Sequence, residues 1–306
     1  MAQHLIHVGY PKAGSTLLQA WFERHPELCY KPGGLGGFCN VYEIARSPGG
    51  IWKYHVTSYE GLSMPHQTEG GVDVAYGVIE PDTHTRTRET QARVCSLLTS
   101  LYPGSRVLVT TRGFKGMIVS SYSQYVKMGG TQHLGGMCRE LGELLQKDAM
   151  HYFDYDSMLG LYAGAFGEEN LIVLPYELLR DDQGKFLSVL EERLGLTHAE
   201  IRLGRLNPSL SPEELYWYPL ISRAVSAAVL RLGPSRRRKL YGWYVRKTLG
   251  NRLRALIKVL GRVRPGGRVT GADFPAELLA YFEGKAARLK DDPLYAPYAA
   301  EYLWDS

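Results

Sequence analysis

The sequence predicts an α/β fold, in which a parallel sheet is flanked by helices, followed by a mainly helical C-terminal part. Short apolar runs of strand length alternate with stretches that carry apolar residues at helical spacing. A loop containing proline and glycine joins the first run to the first helical stretch, an order typical of nucleotide-binding α/β proteins. Strands that alternate with helices pair in parallel and are covered on both faces.

The predicted elements follow one another through the first two thirds of the 306 residues. The predicted strands are 4–9, 72–79, 106–111 and 171–174, and the predicted helices are 15–24, 89–101, 114–128 and 183–194. Residues 30–71 show no sustained period and are predicted to be irregular. With neither an internal repeat nor a linker, the chain is predicted to form a single domain over 1–306, with a core of 4–211 and a helical, basic part of 212–306.

The composition excludes several classes of protein. Hydrophobic residues make up 44% of the chain, which is ordinary for a globular protein and excludes a disordered or fibrous one. The four cysteines lie far apart with no CxxC pair, so neither a zinc site nor a disulfide framework is expected. The N-terminus lacks the pattern of an export signal, and the longest apolar stretch, 216–232, is interrupted by proline and arginine. The sequence therefore predicts a cytoplasmic protein.

The loop after the first predicted strand, 9–16, reads Gly-Tyr-Pro-Lys-Ala-Gly-Ser-Thr. It has the glycine spacing and final hydroxyl of a Walker A loop, but Ser15 stands where the lysine should be and the lysine is Lys12. Glycines let backbone N–H groups close around a phosphate, and the start of the next helix adds its positive end. These residues could instead merely cap the helix. The lysine and the preceding strand favour an anion site on a P-loop-like sheet.

A second phosphate-binding pattern follows the predicted strand 106–111. Arg112 stands at the end of that strand, and Ser120 follows it by eight residues in the next predicted helix. An arginine binds phosphate oxygens with two parallel hydrogen bonds, and a serine two turns into the helix can lie beside it. The alternative is a surface arginine and an unrelated serine on a helix face.

Residues 10–16 and 112–122 together resemble the two phosphate-binding motifs of sulfotransferases that use 3′-phosphoadenosine-5′-phosphosulfate (PAPS). The first resembles the family's 5′-phosphosulfate loop, usually Tyr-Pro-Lys-Ser-Gly-Thr-Thr, and the second its 3′-phosphate element. Segments 121–130, 174–179 and 207–211 are similar to bacterial members. The resemblance extends over about 4–211 and leaves the C-terminal third poorly matched.

The resemblance implies that the protein transfers a sulfuryl group from PAPS to an acceptor hydroxyl by in-line displacement, releasing adenosine 3′,5′-bisphosphate without a metal. Lys12 would stabilise the charge that grows on the bridging oxygen. The implied donor-binding residues are Pro11, Lys12, Ala13, Gly14, Ser15, Thr16, Arg112 and Ser120. Residues 264–268 depart from the family's late Arg-Lys-Gly element, and Arg264 and Arg268 are the candidates there.

The acceptor hydroxyl also needs a general base within hydrogen-bond reach. Glu80 and His84 follow the predicted strand 72–79. Some family members use histidine and others glutamate, and bacterial members often carry a glutamate at this strand end, which favours Glu80. Either residue could instead be a solvated loop side chain. His55 and His66 are outside candidates.

Basic charge is concentrated in one late segment, 231–264, which holds twelve lysines and arginines and no acidic residue. The net charge of the whole chain is +5, so the remainder carries −7. Interleaved apolar residues make the segment an amphipathic basic pattern that suits an anionic membrane, an acidic glycan or the donor's 3′-phosphate, unless it is simply a solvated helix face. We therefore expect a carbohydrate or glycolipid acceptor and peripheral membrane contact, and no nucleic acid partner.

Two rival functions are compatible with parts of the sequence. A P-loop kinase or NTPase needs a lysine where Ser15 stands, together with Mg²⁺. A basic module that binds membranes or nucleic acid would depend on 231–264 alone. The two phosphate motifs in their family order favour the sulfotransferase.

Overall fold

The computed structural model describes residues 3–32, 52–63, 87–146, 154–201, 203–204, 210–247, 253–263 and 274–304. A sheet of five strands runs through them, in the order β2-β3-β1-β4-β5, and every pair of neighbours is parallel. The strands are β1 (Gln3–Gly9), β2 (Leu28–Cys29), β3 (Tyr54–Ser58), β4 (Arg106–Thr111) and β5 (Leu171–Pro175). Helices flank the sheet, which confirms the predicted fold class.

The α-helices connect these strands and then form most of the C-terminal part. They are α1 (Ser15–Arg24), α2 (Thr87–Leu101), α3 (Phe114–Lys127), α4 (Leu134–Gln146), α5 (Tyr155–Phe166), α6 (Tyr176–Asp181), α7 (Gln183–Leu194), α8 (Pro212–Val229), α9 (Pro234–Lys247), α10 (Leu253–Val263) and α11 (Ala276–Phe282). Short 3₁₀ turns lie at Glu60–Leu62, Glu168–Asn170, Ala287–Leu289 and Ala296–Glu301. None of the helices within the described ranges combines the length and the hydropathy needed to cross a membrane.

The sheet is buried on both faces because its strands alternate between two hydrophobic clusters. Ile6 and Val8 of β1 face the cluster under α2, α3 and α5, whereas Leu5 faces the cluster under α1 and α7. β4 repeats this alternation, with Val107 on one side and Leu108 on the other. Successive side chains of a strand point to opposite faces, so a continuous apolar run is what a doubly covered parallel strand requires.

Local signals account for most helix boundaries. Asp182 caps α7 by accepting a hydrogen bond from the Lys185 backbone N–H, and Gly195 ends that helix in the left-handed conformation. Ser211 and Glu214 form a reciprocal capping box at the start of α8. The predicted helices 15–24 and 183–194 are confirmed at both ends, and 89–101 and 114–128 to within two residues.

The prediction that 30–71 contains no regular structure is wrong for β3, which pairs with β1 near the middle of the sheet. Three of its five residues, His55, Thr57 and Ser58, are polar, yet the whole strand is buried. Polar side chains of β1 and β3 bond to each other: His4 Nε2 lies 2.8 Å from Thr57 Oγ1, and His7 Nδ1 lies 2.7 Å from Ser58 Oγ. The predicted strand 72–79 lies outside the described residues.

The register brings the carboxyl ends of four strands to one edge. Ser58 of β3 pairs with His7 of β1, and Gly9 of β1 pairs with Thr110 of β4. Ligands of open α/β sheets bind at this edge, where consecutive connections leave in opposite directions. β1 meets β4 at such a point, so the segments after these two strands flank the expected ligand crevice.

Candidate anion-binding and catalytic site

The loop after β1 has the backbone shape of an anion cradle. Lys12 and Gly14 both have positive φ angles, 66° and 87°. At Gly14 a Cβ atom would also lie 2.6 Å from Leu179 Cδ2, so only glycine fits there. Left-handed residues in a tight turn make successive N–H groups converge, and the first N–H groups of α1 have no partners within the helix. The loop therefore offers several backbone donors to one anion.

Ser15 and Thr16, which begin α1, face different surroundings. Ser15 is buried, and its Oγ has no hydrogen-bond partner among the described residues. Thr16 is exposed. Ala13 is fully buried beneath the loop, and Pro11 is half-buried on it. A buried hydroxyl without a partner is costly, so Ser15 has an unused donor next to the cradle.

Arg112, directly after β4, reaches the loop after β1. Its Nη1 donates a hydrogen bond of 2.6 Å to the carbonyl oxygen of Lys12, one hundred residues away in the chain. Its guanidinium carbon lies 4.4 Å from the centre of the Tyr176 ring, a cation–π contact. Its Nε is buried and has no partner within the described residues. The two motifs found in the sequence therefore meet, and the arginine keeps one buried donor unused.

A buried carboxylate braces the turn that carries Arg112. Glu177 has no exposed surface, and its Oε1 accepts a 3.0 Å hydrogen bond from the Gly113 backbone N–H. Its Oε2 accepts a 3.2 Å hydrogen bond from the Tyr302 hydroxyl, which also lies 2.9 Å from Thr111 Oγ1. Burial raises the pKa of Glu177, and the N–H donors oppose that rise. Both ends of the Arg112 turn are thereby fixed by buried hydrogen bonds.

The Lys12 ammonium group is half-buried and held in a mixed electrostatic field. Its Nζ donates a 2.8 Å hydrogen bond to Gln124 Oε1 on α3. Burial lowers the pKa of Lys12; the Glu60 carboxylate raises it, whereas the cations Lys127 and Arg112 lower it further. An anion in the cradle would compensate for this partial loss of water.

Glu60 acts electrostatically on Lys12 and is one of the acidic residues that the sequence did not predict at the site. It follows β3 by two residues, and its neighbour Tyr59 donates its backbone N–H to His7 O of β1 at 3.3 Å. The Ser63 hydroxyl lies 2.8 Å from Gly9 O and 2.9 Å from Glu60 O, which ties this turn to the start of the loop. The β-branched residues of β3 followed by Tyr-Glu-Gly were the signal that could have indicated a strand end with a carboxylate.

A pocket of about 360 Å³ opens beside Arg112, within the size range of small-ligand sites. It is lined by Arg112, Lys115, Gly116, Val119, Phe274, Ala300 and Glu301. Ser120 lies four residues after Gly116, one turn farther along the same side of α3. Glu301 places a carboxylate in the lining, where its Oε1 lies 3.7 Å from Arg180 Nη1. Phe274, Ala300 and Glu301, which the sequence did not predict to contribute, belong to the C-terminal part of the chain.

The remaining predicted site residues fall outside this arrangement or outside the described ranges. Glu80, His84, Arg264 and Arg268 lie outside the described residues, as does His66. His55 is buried near the amino end of β3, opposite the edge that carries the loop.

Burial keeps the histidines of β1 neutral. His7 is fully buried in β1, and burial lowers its pKa to about 3. Burial lowers the pKa of His4 to about 4, and the neighbouring His55 adds to that effect. These imidazoles are uncharged at neutral pH, so the positive charge near the cradle comes from Lys12, Lys127 and Arg112.

Comparisons with known proteins were made by sequence and by structure. No family model matches the chain, and no curated protein matches it in sequence. Among solved structures it is similar to a sulfotransferase from Alicyclobacillus acidocaldarius, at 15% identity and a TM-score of 0.41, over 78% of this chain and 99% of that one. It is also similar to mouse sulfotransferase SULT7A1 complexed with PAP, at 12% identity and a TM-score of 0.44, over 100% and 89% of the two chains. The function of this chain is therefore inferred from the residues of its own site.

Proposed function

We propose that the protein is a sulfotransferase that moves a sulfuryl group from PAPS to the hydroxyl of an acceptor, with adenosine 3′,5′-bisphosphate as the second product. The observation that carries the proposal is the hydrogen bond from Arg112 to the Lys12 carbonyl oxygen. It joins the two segments that resemble donor-binding motifs at one edge of the sheet. A donor with phosphates at both ends of a nucleoside needs two anion sites, and we assign these to the cradle and to the Arg112 pocket.

In this reaction the bond between sulfur and the bridging phosphate oxygen breaks while the acceptor oxygen bonds to sulfur. The leaving phosphate gains negative charge, and the acceptor hydroxyl loses a proton. The Lys12 ammonium group, beside the cradle, suits the stabilisation of that charge. The pKa of Lys12 is lowered chiefly by burial, which leaves its positive charge incompletely solvated before the donor binds. Gln124, its hydrogen-bond acceptor, holds the ammonium group in place meanwhile.

Glu60 is a third candidate for the general base, beside Glu80 and His84. Its carboxylate acts electrostatically on Lys12, and its backbone is tied to the start of the loop through the Ser63 hydroxyl. An acceptor approaching sulfur in line with the bridging oxygen must come from the side of the cradle away from the donor phosphate. A carboxylate close to Lys12 suits the removal of the proton from the acceptor hydroxyl. Glu60 joins Glu80 and His84 as a candidate because its charge acts on Lys12 and its turn is tied to the start of the loop.

The distribution of charge along the chain, rather than the cradle, suggests the class of acceptor. Carbohydrate or glycolipid hydroxyls fit a chain whose basic surplus is concentrated in 231–264, since acidic glycans and anionic membranes both attract such a segment. A cytoplasmic enzyme working at a membrane surface fits the same charge distribution.

Calorimetry with adenosine 3′,5′-bisphosphate, without metal, tests the donor site. We expect the native protein to bind it, and Arg112→Ala to lose about 2 kcal/mol or more, as for a charged phosphate partner. Lys53→Ala is the matched control, because Lys53 is an exposed lysine at the opposite end of the sheet. Tighter binding of ATP with Mg²⁺ than of adenosine 3′,5′-bisphosphate would favour a P-loop kinase. An unchanged bisphosphate affinity in Arg112→Ala would reject the proposed donor site.

Transfer from radiolabelled PAPS to a panel of sugar, glycolipid and phenol acceptors tests the base. We expect Glu60→Gln to lower the transfer rate about 10²–10⁴-fold while bisphosphate binding stays within about threefold of native. Glu80→Gln and His84→Gln are the comparison variants. If Glu80→Gln or His84→Gln removes transfer and Glu60→Gln does not, the base lies in the segment after the predicted strand 72–79.

A further inference from the structure

Exposed apolar side chains are concentrated in the basic part of the chain. Eight large apolar side chains are exposed in the described ranges, and five of them lie between residues 230 and 259. These five are Leu230, Leu240, Trp243, Leu256 and Val259, exposed by between 46% and 58%. Clustered exposed apolar side chains mark surfaces that contact another phase or molecule.

On α9 the exposed apolar residues form an outward pair. Tyr241 and Tyr244 are buried, so Leu240 and Trp243, each one residue earlier, lie on the side turned to solvent. The two are three residues apart and are neighbours on the helix surface. Arg236, four residues before Leu240, is also exposed. An indole and a leucine thus lie next to basic side chains on one face.

The same arrangement occurs on α10, which packs on α8. Ile257 is buried, whereas Leu256 and Val259 are 46% and 56% exposed. Lys258 and Arg262 are exposed between and beyond them. Helix α10 therefore has one face on the protein, an apolar flank and a basic flank. Two consecutive helices present both kinds of side chain to solvent.

We propose that α9 and α10 form a docking surface for an anionic lipid bilayer. Anionic headgroups attract a segment with twelve basic and no acidic residues, and each basic residue near such a surface adds to binding. A site for a soluble anionic polymer would need the basic charges alone. A bilayer also accounts for the exposed apolar side chains, because Trp243, Leu240, Leu256 and Val259 are stabilised at the boundary of headgroups and acyl chains. The lysine and arginine side chains beside these apolar residues can place their apolar stems along the same boundary and keep their charged ends among the headgroups. The proposal does not depend on the sulfotransferase reaction.

Sedimentation with phosphatidylcholine vesicles that do or do not contain phosphatidylglycerol tests the proposal on the full-length chain. We expect binding only to the anionic vesicles, weaker at high ionic strength. Trp243→Ser should weaken binding about tenfold, since part of the indole loses its burial in lipid. The double variant Arg236→Gln/Lys239→Gln should weaken it about 25-fold, at about fivefold for each charge.

Leu97→Ser is the matched control, because Leu97 is 62% exposed on α2, away from the basic segment. It should bind vesicles like the native protein. Bisphosphate calorimetry and circular dichroism should be unchanged in Trp243→Ser, which separates lipid docking from donor binding and from folding. A soluble polyanion such as heparin should bind native and Trp243→Ser equally.

Two results would overturn the proposal. One is the absence of binding to anionic vesicles by the native chain. The other is binding to vesicles that Trp243→Ser leaves unchanged and that heparin or duplex DNA abolishes in proportion to the charge of the added polymer. That result would make the surface a general site for polyanions. Quenching of tryptophan fluorescence by brominated lipid, lost in Trp243→Phe, would independently locate the indole in the bilayer.

Discussion

The loop after β1 and the helices α9 and α10 both carry basic residues, but they hold them in different ways. In the loop region each cation has a specific partner: Lys12 Nζ donates to Gln124 Oε1, and Arg112 Nη1 donates to Lys12 O. In the two helices Arg236, Lys239 and similar side chains are exposed, although Arg254 of α10 also pairs with Glu214 of α8. A site that aligns reacting atoms needs a few charges in fixed positions, whereas attraction to an anionic surface needs many charges in approximate positions. Single substitutions should therefore have large effects in the first region and small, additive effects in the second.

Among the basic residues of the two regions, the largest effect is expected at Lys12. Lys12→Met removes the charge nearest the cradle while keeping a side chain of similar length, and we expect the transfer rate to fall about 10²–10³-fold. Bisphosphate affinity should fall less, because backbone donors and Arg112 remain. The comparison variant is Arg236→Gln/Lys239→Gln in α9, which removes twice the charge. Single-turnover transfer to the best acceptor of the panel is the measurement, and equal rates in the two variants would contradict the distinction between the regions.

Arg112 tests whether geometry or charge matters in the loop region. Arg112→Lys keeps the positive charge but loses the planar fork that binds the Lys12 carbonyl oxygen and stacks on Tyr176. We expect bisphosphate to bind about 10- to 100-fold more weakly, close to the loss in Arg112→Ala, because hydrogen bonds to charged groups contribute about 1.5–3 kcal/mol. Near-native affinity in Arg112→Lys, measured by calorimetry, would mean that a point charge suffices there.

The fold was predictable wherever one strand or helix carried its own signal. β1, β4 and β5 are apolar runs, and α1 and α7 have glycine at a boundary, so their limits can be found in the sequence. β3 was missed because its burial depends on polar partners that lie about fifty residues away, such as His7 for Ser58. The β-branched pair Val56 and Thr57 followed by Tyr-Glu-Gly is a local signal of this strand, but a short and weak one.

The residues of the candidate site fall into the same two groups, those with a local sequence signal and those without one. Lys12 and Arg112 were found because each belongs to a short motif with its own physical meaning. Glu60, Glu177 and Glu301 were not found, because each contributes through contacts made only in the folded chain. Glu177 shows why: a buried carboxylate is expensive unless donors surround it, and here those donors come from Gly113 and Tyr302.

A smaller effect, on stability, is expected from the neutral histidine beneath the loop. Burial lowers the pKa of His7 to about 3 from its ordinary value of 6.5, so its contribution to stability is fully present above pH 6.5 and is lost progressively as pH falls from 6.5 towards 3. Between about pH 7 and about pH 5.5 the native protein should lose roughly 1 kcal/mol through His7 alone. His7→Gln, which can still bond to Ser58, should show a pH-dependent loss smaller by that amount in urea unfolding.

The control for that measurement is Ser58→Ala, which removes the hydrogen-bond partner of His7 Nδ1 but keeps the imidazole that takes up the proton. The pH-dependent loss in this variant should remain close to native. An unchanged pH-dependent loss in His7→Gln would mean that His7 takes up its proton in the folded state and is not held neutral.

The smallest effect is expected at Glu301, where one carboxylate lines the pocket beside Arg112. A Cβ at Gly116 would be 3.4 Å from both Arg112 Nε and Glu301 Oε2, so an anion reaching that arginine nitrogen comes close to the carboxylate. Glu301→Gln should tighten bisphosphate binding about two- to fivefold, because a partly exposed charge contributes only about 0.4–1 kcal/mol. Glu168→Gln, another carboxylate paired with an arginine, is the control and should leave calorimetric affinity unchanged. Weaker binding in Glu301→Gln would reverse the interpretation: the carboxylate would then serve to hold Arg180 in position, and the loop region would depend on its anions as well as its cations for fixed geometry.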